Sequence, residues 1–233
     1  MPYISTKGII ISTAPLNERD KSAILFSEEL GKIRIKFRSV RSPTSKRSGY
    51  SDDFILERIL LYRKGDFYTA TEVELIDSYL DLKTSLDGFK ALSYIKELLL
   101  ILIPFEQQEP KVFNLLLKTL EGLRHTNFKD SAIIYFCIHL FDDLGYPIKI
   151  PRVVTGDYYF LPEKGGFNKV NGILIKEDIV REFQDVFNSS CRNFKEVHYA
   201  EEMLKIINSF VLFHSESEHF KHFLETMQTL GEG

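Results

Sequence analysis

The spacing of apolar residues along this chain changes near residue 80. Before that point apolar and polar residues alternate over short runs, the period of half-buried strands. The runs fall at residues 8–13, 23–27, 32–38, 54–62 and 67–74. Pro15, Gly31 and the turn Arg63-Lys64-Gly65-Asp66 punctuate them. Five short antiparallel strands in about 75 residues predict a small closed β-barrel or a sandwich, and an OB-type barrel has this strand count.

Beyond residue 80 the apolar residues recur at steps of three and four. Leu86, Phe89, Leu92, Ile95 and Leu99 predict one buried helical stripe. Val112, Phe113, Leu116, Leu117, Leu120 and Leu123 predict a second, entered at Pro110. Ser131 is placed to cap a third helix, buried through Ile134, Cys137, Ile138 and Phe141 and ended by Gly145 and Pro147. Residues 150–175 lose the helical period and read as a turn-rich hairpin. Helices return at 177–186, 196–213 and 216–230.

A chain of 233 residues with 44% hydrophobic and 27% charged content can bury a core without disulfide staples. Cys137 and Cys191 are too few for a four-cysteine metal site and suit a reducing compartment. The N-terminus lacks the pattern of a secretory leader, and the greasiest run, Leu98 to Ile103, is too short to span a bilayer. A cytoplasmic protein without a membrane partner is expected.

Net charge is −3, yet the seven cations Lys32, Arg34, Lys36, Arg38, Arg41, Lys46 and Arg47 lie between residues 32 and 50 with no Asp or Glu among them. In the third strand Ile33, Ile35 and Phe37 point one way and Lys32, Arg34, Lys36 and Arg38 the other, with successive cations roughly 7 Å apart. Cations at fixed spacing suit a polyphosphate backbone. Protection of an edge strand usually needs only one or two lysines. Tyr50 and Tyr62 stand beside basic residues, where stacking on bases and barrel-rim packing are both open.

Catalytic and metal signatures are missing. Asp52-Asp53 and Asp142-Asp143 are adjacent pairs and diverge in either a strand or a helix. His219 and His222 are a lone pair amid surface Ser and Glu. There is no phosphate-cradling Gly loop, nucleophile elbow or His-Glu-x-x-His. No enzyme activity, catalytic residue, metal or cofactor is expected.

The order of segments resembles the RecO family of bacterial recombination mediators. The segments are Gly8-Ile9-Ile10-Ile11, Glu18-Arg19-Asp20-Lys21 and Leu25-Phe26-Ser27-Glu28-Glu29-Leu30-Gly31-Lys32-Ile33-Arg34, followed by the basic loop. Tyr94-Ile95-Lys96-Glu97-Leu98-Leu99, Pro104, Glu109-Pro110, Val112-Phe113-Asn114-Leu115-Leu116 and Thr119-Leu120-Glu121 continue the likeness. Many members carry two Cys-x-x-Cys pairs for zinc after a Gly-Tyr-x-Pro-like segment. Here Gly145-Tyr146-Pro147 is present, but Arg152, Thr155, Lys169 and Gly172 stand where ligands would fall.

The resemblance implies an α+β protein: an OB-fold barrel over 1–80, an all-α domain over 81–149 and 176–233, and a zinc-finger-like hairpin without ligands at 150–175. It implies a nucleoid-associated DNA-repair mediator that binds single- and double-stranded DNA and anneals strands. With RecR, and RecF in some lineages, it would load RecA on strands coated by single-strand-binding protein, whose acidic C-terminal tail it would bind. Lys118 and Arg124, beside the Leu115–Leu123 stripe, are candidate rims for that tail. The other reading is a helical adaptor whose basic barrel docks an acidic protein.

Overall fold

The computed structural model describes residues 3–41, 51–189 and 194–229. Two compact units divide the chain, Met1–Phe113 and Asn114–Gly233. The first opens with five strands: β1 (Tyr3–Pro15), β2 (Lys21–Ser27), β3 (Gly31–Phe37), β4 (Ile55–Lys64) and β5 (Phe67–Asp77). They form a closed barrel in the order β1-β2-β3-β5-β4, returning to β1. All pairings are antiparallel except β3 with β5, which is parallel through Ile35–Tyr68, Lys36–Thr69 and Phe37–Ala70. This is the OB arrangement.

The first strand is longer than its apolar run, because β1 serves two partners. Its start pairs with β4 and its end with β2. The register slips between Ile10 and Ser12, a bulge that bends the strand round the barrel. Ile10 enters the barrel core with Leu25, Ile33, Ile35, Phe37, Ile59 and Leu61. Ile9 and Ile11, on the other face of β1, are also fully buried. Helix α2 (Leu86–Leu102), which follows the single turn α1 (Leu80–Lys83), packs against β1.

Ser85 caps α2 by accepting the Gly88 N–H at 3.1 Å. The predicted stripe is covered only in part. Leu92, Ile95 and Leu99 are buried, whereas Leu86 and Phe89 in the first turns are exposed. After α2 the chain runs back along the start of β3. Phe105 bridges Lys32, and Glu106 N–H donates to the Lys32 carbonyl at 2.8 Å. Gly31 allows this approach: at φ +68°, a Cβ there would meet the Gln107 carbonyl oxygen at 1.9 Å.

In the second unit α4 (Lys129–Asp143) is buried on every side, not on one face, because α5 (Glu177–Phe187) and α6 (Ala200–Ser215) both pack on it. Ser131 does not cap α4, which starts two residues earlier. Its hydroxyl instead accepts the Val197 N–H at 2.9 Å. Leu115, Leu116, Leu120 and Leu123 of α3 (Pro110–His125) are buried, and Arg124 pairs with Glu121 at 3.6 Å. Most of that stripe is therefore core, with Leu117 only part-buried and Lys118 exposed. A last helix, α7 (Glu218–Thr229), follows α6.

The insertion is a three-stranded sheet, not a two-stranded hairpin. β6 (Tyr158–Leu161) lies between β7 (Gly166–Asn168) and β8 (Ile173–Ile175). β7 and β8 are three residues each, too short to show a period. Lys169 ties the turns together. Its ammonium donates to the Thr155 carbonyl and, at 2.7 Å, to that of Asp157, and it sits 3.4 Å from the centre of the Tyr158 ring. Asn168 adds bonds to the Tyr159 and Asn171 carbonyls at 3.1 and 3.0 Å. Among the described residues no cluster of three His, Cys, Asp or Glu suits a metal. Among the described residues no helix is long and apolar enough to cross a membrane.

One barrel residue conflicts with its surroundings. Glu57 of β4 is fully buried, opposite Gly8 of β1 and Leu75 of β5, and neither carboxyl oxygen has a hydrogen-bond partner among the described residues. Burial raises its pKa to about 8. Between pH 4.5 and 8 the unfolded chain releases this proton while the folded chain keeps it. Stability contributed by the neutral acid is therefore lost as pH rises through that window. At pH 7 the cost is on the order of 3 kcal/mol. The stability gained on Glu57→Gln should grow from pH 4.5 to 8 and then level off in urea melts. A gain independent of pH would contradict this assignment.

Candidate nucleic-acid interface

The alternation of β3 sends Ile33, Ile35 and Phe37 into the core and the cations outward, but the outward face has two environments. Its first half is covered. Phe26 of β2, opposite Lys32, is buried edge-on against Phe113 at 5.7 Å between ring centres. Lys32 is itself 2% exposed. Its ammonium donates to the Leu99 and Leu100 carbonyls at 3.2 and 2.6 Å and lies 4.6 Å from the centre of the Phe105 ring. It thus satisfies last-turn carbonyls of α2, where a cation also complements the helix dipole. Burial, then the charge of Arg34, lowers its pKa to about 8. Lys32 belongs to the structure and leaves the ligand-facing set.

The second half of the face is open. Arg34 is exposed, its guanidinium 4.3 Å from the centre of the Phe105 ring. Arg38 is exposed at the end of the strand. Lys36 lies between them and is bound to Asp20 at 2.8 Å. Asp20, in the β1–β2 loop, also accepts the Ser39 N–H and the Asn17 side-chain amide, each at 2.9 Å. The Lys36 bond, with those two, holds the Asp20 carboxyl well below the usual carboxylate range. The run without acids from 32 to 50 thus acquires a carboxylate from a loop distant in sequence.

Arg41 turns toward the same loop. Its guanidinium donates to the Asn17 carbonyl, and its N–H to that of Arg19 at 3.0 Å. Arg41 therefore braces the β1–β2 loop. Lys46 and Arg47 lie outside the described residues, as do Tyr50 and Cys191.

Parallel pairing of β3 with β5 brings the β4–β5 turn beside these cations. A groove of about 540 Å³ runs between the β1–β2 loop and that turn. Arg34, Lys36 and Arg38 line it from β3. Tyr62 and Lys64 line it from β4, and Phe67 from β5. Leu16 and Tyr68 complete its apolar lining. Phe67 is 78% exposed, and Tyr62 packs on Tyr3 at 5.2 Å between ring centres. Cations along a wall with exposed rings beside them can track phosphates and stack bases. OB barrels take oligonucleotides on the strand 2–3 face between these two loops.

Sequence reasoning places Lys64 in the turn and Phe67 at the start of the fifth strand, and misses both as site residues. The available signal is an aromatic residue directly after the Gly65-Asp66 turn, with Arg63 and Lys64 before it. Tyr62, read as either rim or stacker, is at the groove and is part-buried.

Comparison with known families and proteins agrees along most of the chain. The family described as Recombination protein O N terminal matches residues 1–79, and Recombination protein O C terminal matches residues 84–154. The DNA repair protein RecO of Dehalococcoides mccartyi strain 195 is 29% identical over 212 residues, covering 85% of this chain and 84% of the relative. Its counterpart in strain BAV1 is 31% identical over 168 residues, covering 69% and 66%. The DNA repair protein RecO of Acetivibrio thermocellus is 24% identical over 218 residues, covering 88% and 87%.

The division between structural and ligand-facing cations is measurable. Lys32→Met leaves carbonyls at the end of α2 without their donor and should cost about 1–3 kcal/mol in urea melts. Arg38→Met, at an exposed position, should change stability by no more than about 0.5 kcal/mol. Equal losses at the two positions would refute the division.

Proposed function

The chain belongs to the RecO family, and on that premise we propose that it acts in DNA repair by binding DNA through the groove on β3 and the β4–β5 turn. The relatives' shared name, DNA repair protein RecO, supports the repair role. The observation that carries the DNA reading is the convergence of Arg34, Lys36, Arg38 and Lys64 on a groove flanked by exposed Phe67. Phosphate contacts of this kind position a strand without reading its sequence. Binding is therefore non-specific and serves single and double strands, which suits annealing.

In this reading the protein is a non-enzymatic mediator. It brings complementary strands together by neutralising their backbones. With RecR, and RecF in some lineages, it helps RecA replace single-strand-binding protein. The acidic tail of that protein is a further partner, with no site assigned, because most of the Leu115–Leu123 stripe is buried. Arg34, Arg38 and Lys64 face the backbone. Lys36 joins them if a phosphate displaces Asp20.

Fluorescence anisotropy of a mixed-sequence single-stranded oligonucleotide across a salt series tests the proposal. Three to five neutralised phosphates give a log–log salt slope of roughly −2 to −3.5. The triple change Arg34→Glu/Arg38→Glu/Lys64→Glu should abolish binding, and oligonucleotides of unrelated sequence should compete equally. A flat salt response, or binding that survives the triple change, would overturn this site. Preferential capture of an acidic peptide that oligonucleotides cannot displace would favour the adaptor reading.

A further inference from the structure

Helix α2 carries an apolar stripe that the fold covers only from Leu92 onward. Leu86 and Phe89 are three residues apart, share one face of the helix and remain exposed. Their neighbours extend the patch. The turn α1 meets α2 backbone to backbone at Gly88, where an added Cβ would lie 2.2 Å from the Leu82 carbonyl oxygen, and Leu80 of that turn is exposed. Just before it, the β4–β5 register slips between Leu56 and Glu57, so that Ile76 is an extra residue beside Leu75. Such a bulge re-aims side chains, and Leu75 and Ile76 are both exposed. These five large apolar residues are each 44–62% exposed and lie between residues 75 and 89.

The rim of this patch is acidic. Glu72, Glu74, Asp77, Asp81 and Asp87 lie along the same stretch of sequence, Glu74 being paired with the exposed Arg58 of β4 at 3.0 Å. Lys83 is its one cation between residues 72 and 87, is partly buried, and is faced by Asp52, Asp53 and Asp77. A patch with these carboxylates repels nucleic acid and anionic lipid. It lies well away from the basic groove, since Ile76 is nine residues beyond Phe67 along β5, roughly 25–30 Å.

We propose that Leu75, Ile76, Leu80, Leu86 and Phe89 form a docking surface for a protein partner that presents an amphipathic segment with apolar residues on one face and Lys or Arg at its edges. The apolar residues supply burial, and the carboxylate rim selects charge and register. Because this surface and the groove are separate, the partner and an oligonucleotide can be held together.

The test uses the full chain and three labelled 18-residue helical peptides: Leu on one face with Arg at the edges, Ser with Arg, and Leu with Glu. The Leu/Arg peptide should bind best. Its affinity should fall at least tenfold on Leu80→Ser/Phe89→Ser and, separately, on Asp81→Lys/Asp87→Lys. All are surface changes whose folding is checked by circular dichroism. Oligonucleotide binding should change less than twofold in both variants, so failure here and failure of the groove reading remain distinct. Equal binding of the Ser/Arg or Leu/Glu peptide, or unchanged affinity in either variant, would overturn the proposal. So would wild-type dimers that become monomers in Leu80→Ser/Phe89→Ser by sedimentation, because the occupant would then be a second copy.

Discussion

Three parallel residue pairs between β3 and β5 close the barrel, and the candidate site depends on that closure. β3 and the β4–β5 turn are separated in sequence by the loop and all of β4. Only the pairs Ile35–Tyr68, Lys36–Thr69 and Phe37–Ala70 put Arg34 and Lys36 beside Phe67 and Lys64. The pairing is short because the other half of the β3 edge is taken by the segment after α2, where Phe105 bridges Lys32. The same strand is therefore covered at one end and open at the other. Gly31 makes the covered end possible by admitting the Gln107 backbone.

This division assigns different work to chemically similar residues. Lys32, Arg34 and Lys36 follow one alternation, yet one ammonium satisfies a helix terminus, one guanidinium lies over an exposed ring, and one ammonium is held by Asp20. A buried cation with carbonyl partners contributes to folding, because its removal leaves those carbonyls unpaired. An exposed cation contributes little to folding and is available to a polyanion. The Lys36–Asp20 pair lies between these cases: it ties β3 to the β1–β2 loop at the edge of the groove. Glu57, neutral in the barrel wall, and Lys169, tying the turns of the insertion, show the same principle: the surroundings decide whether a charge survives and what it does.

Much of the barrel was legible in the sequence, since alternation over 32–38 separates core from surface and the Gly65 turn marks the last hairpin. Alternation names a face but not what covers it, so Lys32 read as a ligand contact. The pairing of Lys36 with Asp20 needs the β1–β2 loop to fold back, which no local pattern encodes. Helical spacing failed in two opposite ways. It marked Leu86 and Phe89 as core although both are exposed, and it marked one face of α4 although every face is buried. Periodicity reports a preference for burial, and tertiary packing decides how far that preference is met.

If closure at β3 and β5 creates the surface a DNA strand occupies, a bound strand should perturb that surface first. Amide chemical-shift mapping of the isotope-labelled full chain, titrated with a short oligothymidylate, tests it most directly. The largest perturbations should fall at Ser22, Arg34 to Arg38 and Lys64 to Thr69, with Lys32 and residues 114–229 nearly unmoved. Perturbations concentrated in residues 114–229, with β3 and the β4–β5 turn silent, would contradict it.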